Sequence, residues 1–298
     1  MKIFLCLGIL FLTSCSSGQK KSNEESTDLT NKSFQKNQPI LQKDFQDYLP
    51  ATVKSINPAL SEETMERFSI DEIRKSKQNM DNLVEISFLC RQGNYVQAEN
   101  LISSSFNTYH KLPVFWNVIG NCHLKKGNLR RALLFYNKAL EISPSYVPAL
   151  NNIGVIYLKQ GGDQKALVAF EKANVASKFS KTPRYNLSRL YLIYGLAEQA
   201  RPLIESLLND SPSDNDLLNM AATSYLILGD YKNSLSIFNK IPRNKFSNPE
   251  IGLNYTLALL KNGDSKLAAQ QFKSVAVPTQ SEFKNYYSSI KAEIGDLK

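Results

Sequence analysis

Apolar residues recur along most of this chain at helical spacing, in paired stripes with a glycine between the two members of each pair. Gly93, Gly127, Gly161, Gly195, Gly229 and Gly263 stand 34 residues apart without a slip. Five residues after each comes a small residue (Ala98, Ala132, Ala166, Ala200, Ser234, Ala268), and nine after each a large apolar one (Ile102, Tyr136, Phe170, Ile204, Phe238, Phe272). Seven before five of the glycines lies another small residue: Gly120, Gly154, Ser188, Ala222 and Thr256. The whole chain holds 13 glycines, so six in one column is no accident. The pattern predicts antiparallel helix pairs turned at the glycine, where a positive φ meets no Cβ clash. Small residues let one helix lie close against the next, and the large ones fill the space beside them. One such pair cannot bury its faces, whereas a stack of pairs can.

The stretch from Pro113 gives the columns most fully, with Trp116, Ile119-Gly120, Gly127, Ala132, Tyr136, Ala139 and Pro144. It resembles the tetratricopeptide repeat. That resemblance implies an all-α, right-handed solenoid of six helix-turn-helix repeats with capping helices at both ends. The repeats start at 79, 113, 147, 181, 215 and 249 and cover 79–282. The first departs from the pattern, with Asn82 for tryptophan and Ile86 for glycine, and the last has Gly252 where a large residue belongs. Ahead of them, 45–78 reads as an N-terminal helical cap of one or two short helices. Ser61-Glu62-Glu63 and the capping box Ser69-Ile70-Asp71-Glu72 mark helix starts there, after breaks at Pro50 and Pro58. Behind them, 283–298 carries Phe283, Tyr286, Tyr287, Ile290 and Ile294 at helical spacing and reads as a closing helix.

The first residues set an address. Met1-Lys2 leads into the apolar run Ile3–Leu12, about half the length a helix needs to cross a bilayer, so 1–14 reads as a secretory signal. Leu12-Thr13-Ser14-Cys15 resembles the bacterial lipobox, which implies acylation of Cys15 at the mature N-terminus. Ser16, not aspartate, follows the cysteine, and by resemblance to Gram-negative sorting that implies the periplasmic face of the outer membrane. Residues 15–44 are rich in Ser, Lys, Asn, Gln and Thr and read as a lipid-anchored tether with a span of about 30 Å.

Composition adds one fact. The formal charge of +9 is concentrated: Lys111 to Arg201 contains 14 Lys/Arg against Glu141, Asp163, Glu171 and Glu198, a balance of +10. A one-signed middle attracts an anionic partner, although charges on outer helix faces also serve solubility alone. With Cys6 in the signal and Cys15 acylated, Cys90 and Cys122 remain. They fall on the first helices of adjacent repeats. A bridge needs Cα atoms within about 7 Å whereas helix axes stand about 8–10 Å apart, so buried packing is the expectation and a disulfide is left open.

Catalytic chemistry finds no foothold. His123 occupies the column of Tyr157, Tyr191 and Tyr225 and is expected to pack, while His110 sits in an inter-repeat turn. Zinc spacing, the Gly-x-Ser-x-Gly elbow and a phosphate loop are all missing from the sequence, and no carboxylate pair stands out as an acid/base couple. No catalytic residue, metal ligand or cofactor is therefore assigned.

The resemblance implies instead a concave groove lined by first helices that holds a peptide or partner helix. The groove positions are Asn117, Asn121, Asn151, Asn152, Asn186, Asn219 and Asn254, with Arg91, Lys125, Lys159, Arg189 and Lys261 among them. Each amide offers donor and acceptor to a peptide backbone, and neighbouring cations favour an acidic ligand or a C-terminal carboxylate. Water alone would also satisfy such a row. The carboxylate clamp that reads chaperone tails is not matched: Asn117, Asn121, Asn152, Thr182 and Asn186 give its asparagines without its basic residues. A second surface is the basic patch Lys125, Lys126, Arg130 and Arg131, suited to lipid head groups or an acidic partner.

Lipobox, tether and repeats together resemble the pilotin lipoproteins of type IV pilus systems. This implies a protein partner, a secretin subunit escorted to the outer membrane. The alternative is an envelope scaffold that recruits peptidoglycan hydrolases or a protease. An export signal disfavours nucleic acid as a partner, so none is assigned, and self-association is left open.

Overall fold

A computed structural model describes residues 82–178, 180–279 and 281–296. The signal segment, Cys15, the tether and the N-terminal cap expected over 45–78 lie outside the described residues.

The described residues are all-helical. Six pairs follow one another: α1 (Asn82–Arg91) with α2 (Tyr95–Tyr109), α3 (Pro113–Lys125) with α4 (Leu129–Ile142), and α5 (Val147–Lys159) with α6 (Asp163–Ala176). Then come α7 (Lys181–Ile193) with α8 (Ala197–Asp210), α9 (Asn215–Ile227) with α10 (Tyr231–Phe238), and α11 (Pro249–Lys261) with α12 (Ser265–Phe272). A last helix, α13 (Ser281–Asp296), packs on α11 and α12 and buries Phe283, Tyr286 and Ile290. This is the helical-repeat solenoid that the glycine column implied. None of the described helices is long and apolar enough to cross a membrane.

Each turn inside a pair is built the same way. At the second, Gly127 has φ 79° and its N–H bonds back to Leu124 O, while Asn128 N–H reaches His123 O at 2.8 Å. These bonds satisfy carbonyls that the helix end would otherwise orphan, in a conformation only glycine adopts without a Cβ penalty. Prolines at the first or second helical position of α3, α5 and α11 start helices where no N–H is needed, and Asp214 and Asn248 cap α9 and α11 through their side chains.

Within a pair, the small column sits under the large one. A Cβ on Gly154 would stand 2.5 Å from Cε1 of Phe170, so the ring occupies the place a side chain would take. Tyr136 lies on Gly120 in the same way. Gly252, which departs from the repeat pattern, is explained by its surroundings. The chain after α10 makes a 3-10 turn at Arg243–Lys245 and delivers Phe246, fully buried, against α11. A Cβ at Gly252 would collide with the Phe246 carbonyl and come within 2.8 Å of Val275 Cγ2. The large residue missing at 252 is supplied by 246.

Cys90 and Cys122 form a disulfide, with Cα atoms 5.1 Å apart. This corrects the expectation of unbridged packing. Axes about 8–10 Å apart do not set the Cα distance, because each Cα lies about 2.3 Å off its axis and two facing ones close most of that gap. The bridge ties α1 to α3.

Candidate functional site

First helices pack on first helices of the neighbouring repeats, and the second helices make no comparable pairing, so the first helices form the inner, concave side. That trough is the candidate site. Its residues are held by the repeat itself, since each first helix presents the same columns inward.

The asparagine row lies there, but not as an exposed ladder. Asn151, Asn152 and Asn186 are fully inaccessible, and Asn117, Asn121, Asn219 and Asn254 are buried as well. The amides bond to one another across repeats. Asn152 Nδ2 donates to Asn117 Oδ1 at 3.1 Å and to Asn121 Oδ1 at 3.0 Å. Asn186 Nδ2 donates to Asn151 Oδ1 at 2.8 Å, and Asn254 Nδ2 to Asn219 Oδ1 at 3.2 Å. Tyrosines complete the network: Tyr136 OH donates to Asn121 at 2.6 Å and Tyr286 OH to Asn254 at 3.0 Å. The expectation of solvent-facing amides is therefore corrected. A buried amide needs partners, and the superhelix brings one amide onto the next instead of leaving both to water. Asn121 Nδ2 is buried without an acceptor among the described residues.

The cations divide. Lys125 and Lys159 are exposed at the end of α3 and α5. Arg189, by contrast, is buried, and its Nη1 donates to Glu250 Oε1 at 3.2 Å. This pair joins α7 to α11 over the intervening α9, a reach only residues on an inward-curving face can make. Tyr185 and Asp216 share the neighbourhood. Burial pushes the Tyr185 hydroxyl up to about 12, against the pull of Arg189. Burial also raises the Asp216 carboxyl, helped by Asp214 and Glu250. For Arg189, burial works against the charge, but Glu250 and Tyr185 outweigh it and hold the guanidinium protonated. Lys261 pairs with Glu293 of α13 at 3.3 Å. Asp216 and Glu250 share one column, an acid at the same place in the last two repeats, and Tyr185 interrupts the column of Asn117, Asn151 and Asn219; the sequence reading passed over both signals.

The basic patch stays on the surface around Gly127: Lys125, Lys126, Arg130 and Arg131 are exposed. Lys126 pairs with Glu99 at 3.3 Å and lies over the Tyr95 ring. His123 stacks on Phe135 with centroids 5.1 Å apart, in the packing role its column implied. Burial and then the charges of Arg131 and Lys126 hold its pKa below the ordinary value. His110 stacks on Phe106, and its carbonyl accepts from Trp116 Nε1 at 2.7 Å. Among the described residues, no group of three His, Cys, Asp or Glu could hold a metal.

Residues 113–146 match the family model of the tetratricopeptide repeat, and 135–168 match a second model of it. This stretch consists of tetratricopeptide repeats. A search of curated proteins gives no match. Several solved structures share the fold. YrrB, titled a repeat protein of this kind with an unusual peptide-binding site, is 18% identical with a TM-score of 0.53, over 64% of this chain and 97% of its own. PilW, titled a widely conserved type IV pilus biogenesis factor, is 16% identical with a TM-score of 0.55, over 68% and 95%. Pseudomonas aeruginosa pilF is 17% identical with a TM-score of 0.59, over 75% of this chain and 98% of its own. At such identities the likeness concerns the tetratricopeptide solenoid and nothing finer.

Proposed function

We propose that this protein is a lipid-anchored adapter, acylated at Cys15, whose tetratricopeptide trough receives a partner polypeptide, and that its partner is a secretin subunit on the way to the outer membrane. The observation that carries the adapter reading is the inward face of α1, α3, α5, α7, α9 and α11. It is a continuous surface with cations at Lys125 and Lys159 and a charged seam at Arg189 and Glu250. Such a surface has no chemistry to perform, and its exposed cations suit acidic side chains or a terminal carboxylate. The lipobox-like Leu12-Thr13-Ser14-Cys15 and a fold shared with PilW, a type IV pilus biogenesis factor, support the finer reading.

Deletion of the gene, followed by fractionation for the secretin, tests it. Monomeric or inner-membrane secretin is the expected result, with recovery by the wild-type chain and not by Cys15→Ser. Normal outer-membrane multimers in the deletion strain end the pilotin reading. In that event, recovery of peptidoglycan hydrolases on the immobilised protein supports the envelope scaffold in its place.

A further inference from the structure

Away from the trough, the second helices of the second and third repeats carry a face that an adapter leaves unused. On α4, Arg131, Leu134, Lys138 and Ile142 follow at steps of three and four and so share one side of the helix. All four are exposed, Leu134 to 63%. On α6 the same columns hold Lys165, Val168 and Lys172, with Val175 a turn further on and 77% exposed. The repeat period puts Lys165 in the column of Arg131 and Lys172 in that of Lys138. The flanking second helices lack the pattern: α2 offers Gln97, Asn100 and Ser104 in these columns, and α8 offers Gln199, Pro202 and Ser206.

The charge on this face is largely uncompensated. Lys138 pairs with Glu141 at 2.6 Å. Among the described residues no acid pairs with Arg130, Arg131, Lys165 or Lys172. Nearby acids are engaged elsewhere: Asp163 accepts from Tyr194 at 2.6 Å and Glu171 from Tyr191 at 3.1 Å, both toward α7. The lowered pKa of His123, owed to burial and then to Arg131 and Lys126, reports the same positive field.

Cations interleaved with short exposed aliphatics fit one kind of surface. Protein interfaces draw their energy from large central anchors, aromatics above all, and no exposed aromatic stands in these columns. An anionic bilayer takes both groups, with head-group phosphates meeting the cations and aliphatic tips entering the acyl boundary. We propose that the outer face of α4 and α6 docks on anionic phospholipid, so that Arg131, Lys165 and Lys172 meet head groups while Leu134 and Val175 dip beneath them. For its location this rests on the reading of Cys15 as an anchor, but its chemistry does not depend on that reading.

The test is co-sedimentation of the full chain with vesicles of phosphatidylcholine alone and of phosphatidylcholine mixed with phosphatidylglycerol. Residues 1–14, which carry Lys2, are common to wild type and variants and cancel in the comparison between them. Each cation near such a surface contributes about fivefold in partition, so Arg131→Gln/Lys165→Gln/Lys172→Gln loses about 100-fold of the preference for phosphatidylglycerol. Leu134→Ser/Val175→Ser weakens binding several-fold at unchanged charge. All five side chains are exposed, so both variants keep their helical circular dichroism. Equal binding to the two vesicles by the wild type, or a triple variant that partitions like it, overturns the proposal. So does loss by the triple variant of a soluble acidic protein while vesicle preference is missing, which would reassign the face to protein. The mass of Cys15 in the envelope-purified chain separates the two readings. An unacylated chain that still prefers phosphatidylglycerol removes the anchor alone, and an acylated one without that preference removes the docking face alone.

Discussion

Asn152→Ala is the substitution that decides whether the asparagine row serves the fold. Asn152 is fully buried, its Nδ2 bonds to both Asn117 and Asn121, and its Oδ1 accepts from Asn151 Nδ2 at 3.2 Å. Truncation removes three hydrogen bonds with a net worth of about 1 kcal/mol each, and Asn117 Oδ1 loses this donor inside the protein. Asn121 Oδ1 keeps the Tyr136 hydroxyl, which limits the loss at that end. The sum is about 2–4 kcal/mol, or about 4–16 °C in Tm for a body of this size. Urea denaturation of the wild type and Asn152→Ala, followed by helical circular dichroism, reads it directly. Asn137→Ala on the exposed side of α4 is the control and stays within about 0.5 kcal/mol. A row of amides waiting in water for a ligand would make Asn152 behave like Asn137. An Asn152→Ala loss below about 0.5 kcal/mol therefore refutes the reasoning.

Four further outcomes follow from the geometry. Removing the bridge with Cys90→Ala/Cys122→Ala costs about 3–4 kcal/mol by loop closure over 32 residues, and reductant should lower the wild-type urea midpoint but not the variant's. His123 has a folded pKa below its unfolded one, so the folded state binds fewer protons and stability falls as pH drops through the window beneath about 6.5; in Tm measurements between pH 7.5 and 5, His123→Tyr should flatten that fall. Gly154→Ala gains about 1 kcal/mol of helix propensity but forces the Phe170 ring to move, an overpacking cost of about 1–3 kcal/mol; a net gain in stability by calorimetry contradicts the packing described. Arg189→Met and Glu250→Gln each destabilise, yet the double variant loses less than their sum, with a coupling of about 1–3 kcal/mol by urea; strict additivity would mean the ion pair does not form.

The solenoid was legible because its determinants are local and repeat. Gly127 and its counterparts are needed for positive φ, and Gly154 for the Phe170 ring, so each leaves a letter in a fixed column. The inward amides were misjudged because polarity was read as exposure. A signal was present in their spacing. Asn117 and Asn152, Asn151 and Asn186, and Asn219 and Asn254 are 35 residues apart, one more than the repeat, so each pair joins one column to the next across neighbouring first helices. The disulfide was misjudged by taking axis separation for Cα separation. Arg189–Glu250 spans 61 residues and two repeats and depends on curvature, which no single column encodes.

That offset also shows where the amide ladder stops. The next pair in the series would be Tyr185 with Met220, and neither can continue a chain of amides. The trough therefore falls into two arms sealed by asparagine bonds, over α3–α7 and over α9–α11, with a seam between them where Tyr185, Arg189, Asp216 and Glu250 stand together. The arms are closed by bonds whose breakage leaves buried amides without water. At the seam a buried ion pair, Arg189 with Glu250, takes the place of the amides beside the apolar cluster of Tyr185, Leu217, Met220 and Ala221, and loss of either charge leaves the other desolvated. The cohesion between first helices thus changes at α7–α9 from hydrogen-bonded amides to opposed charge and apolar packing.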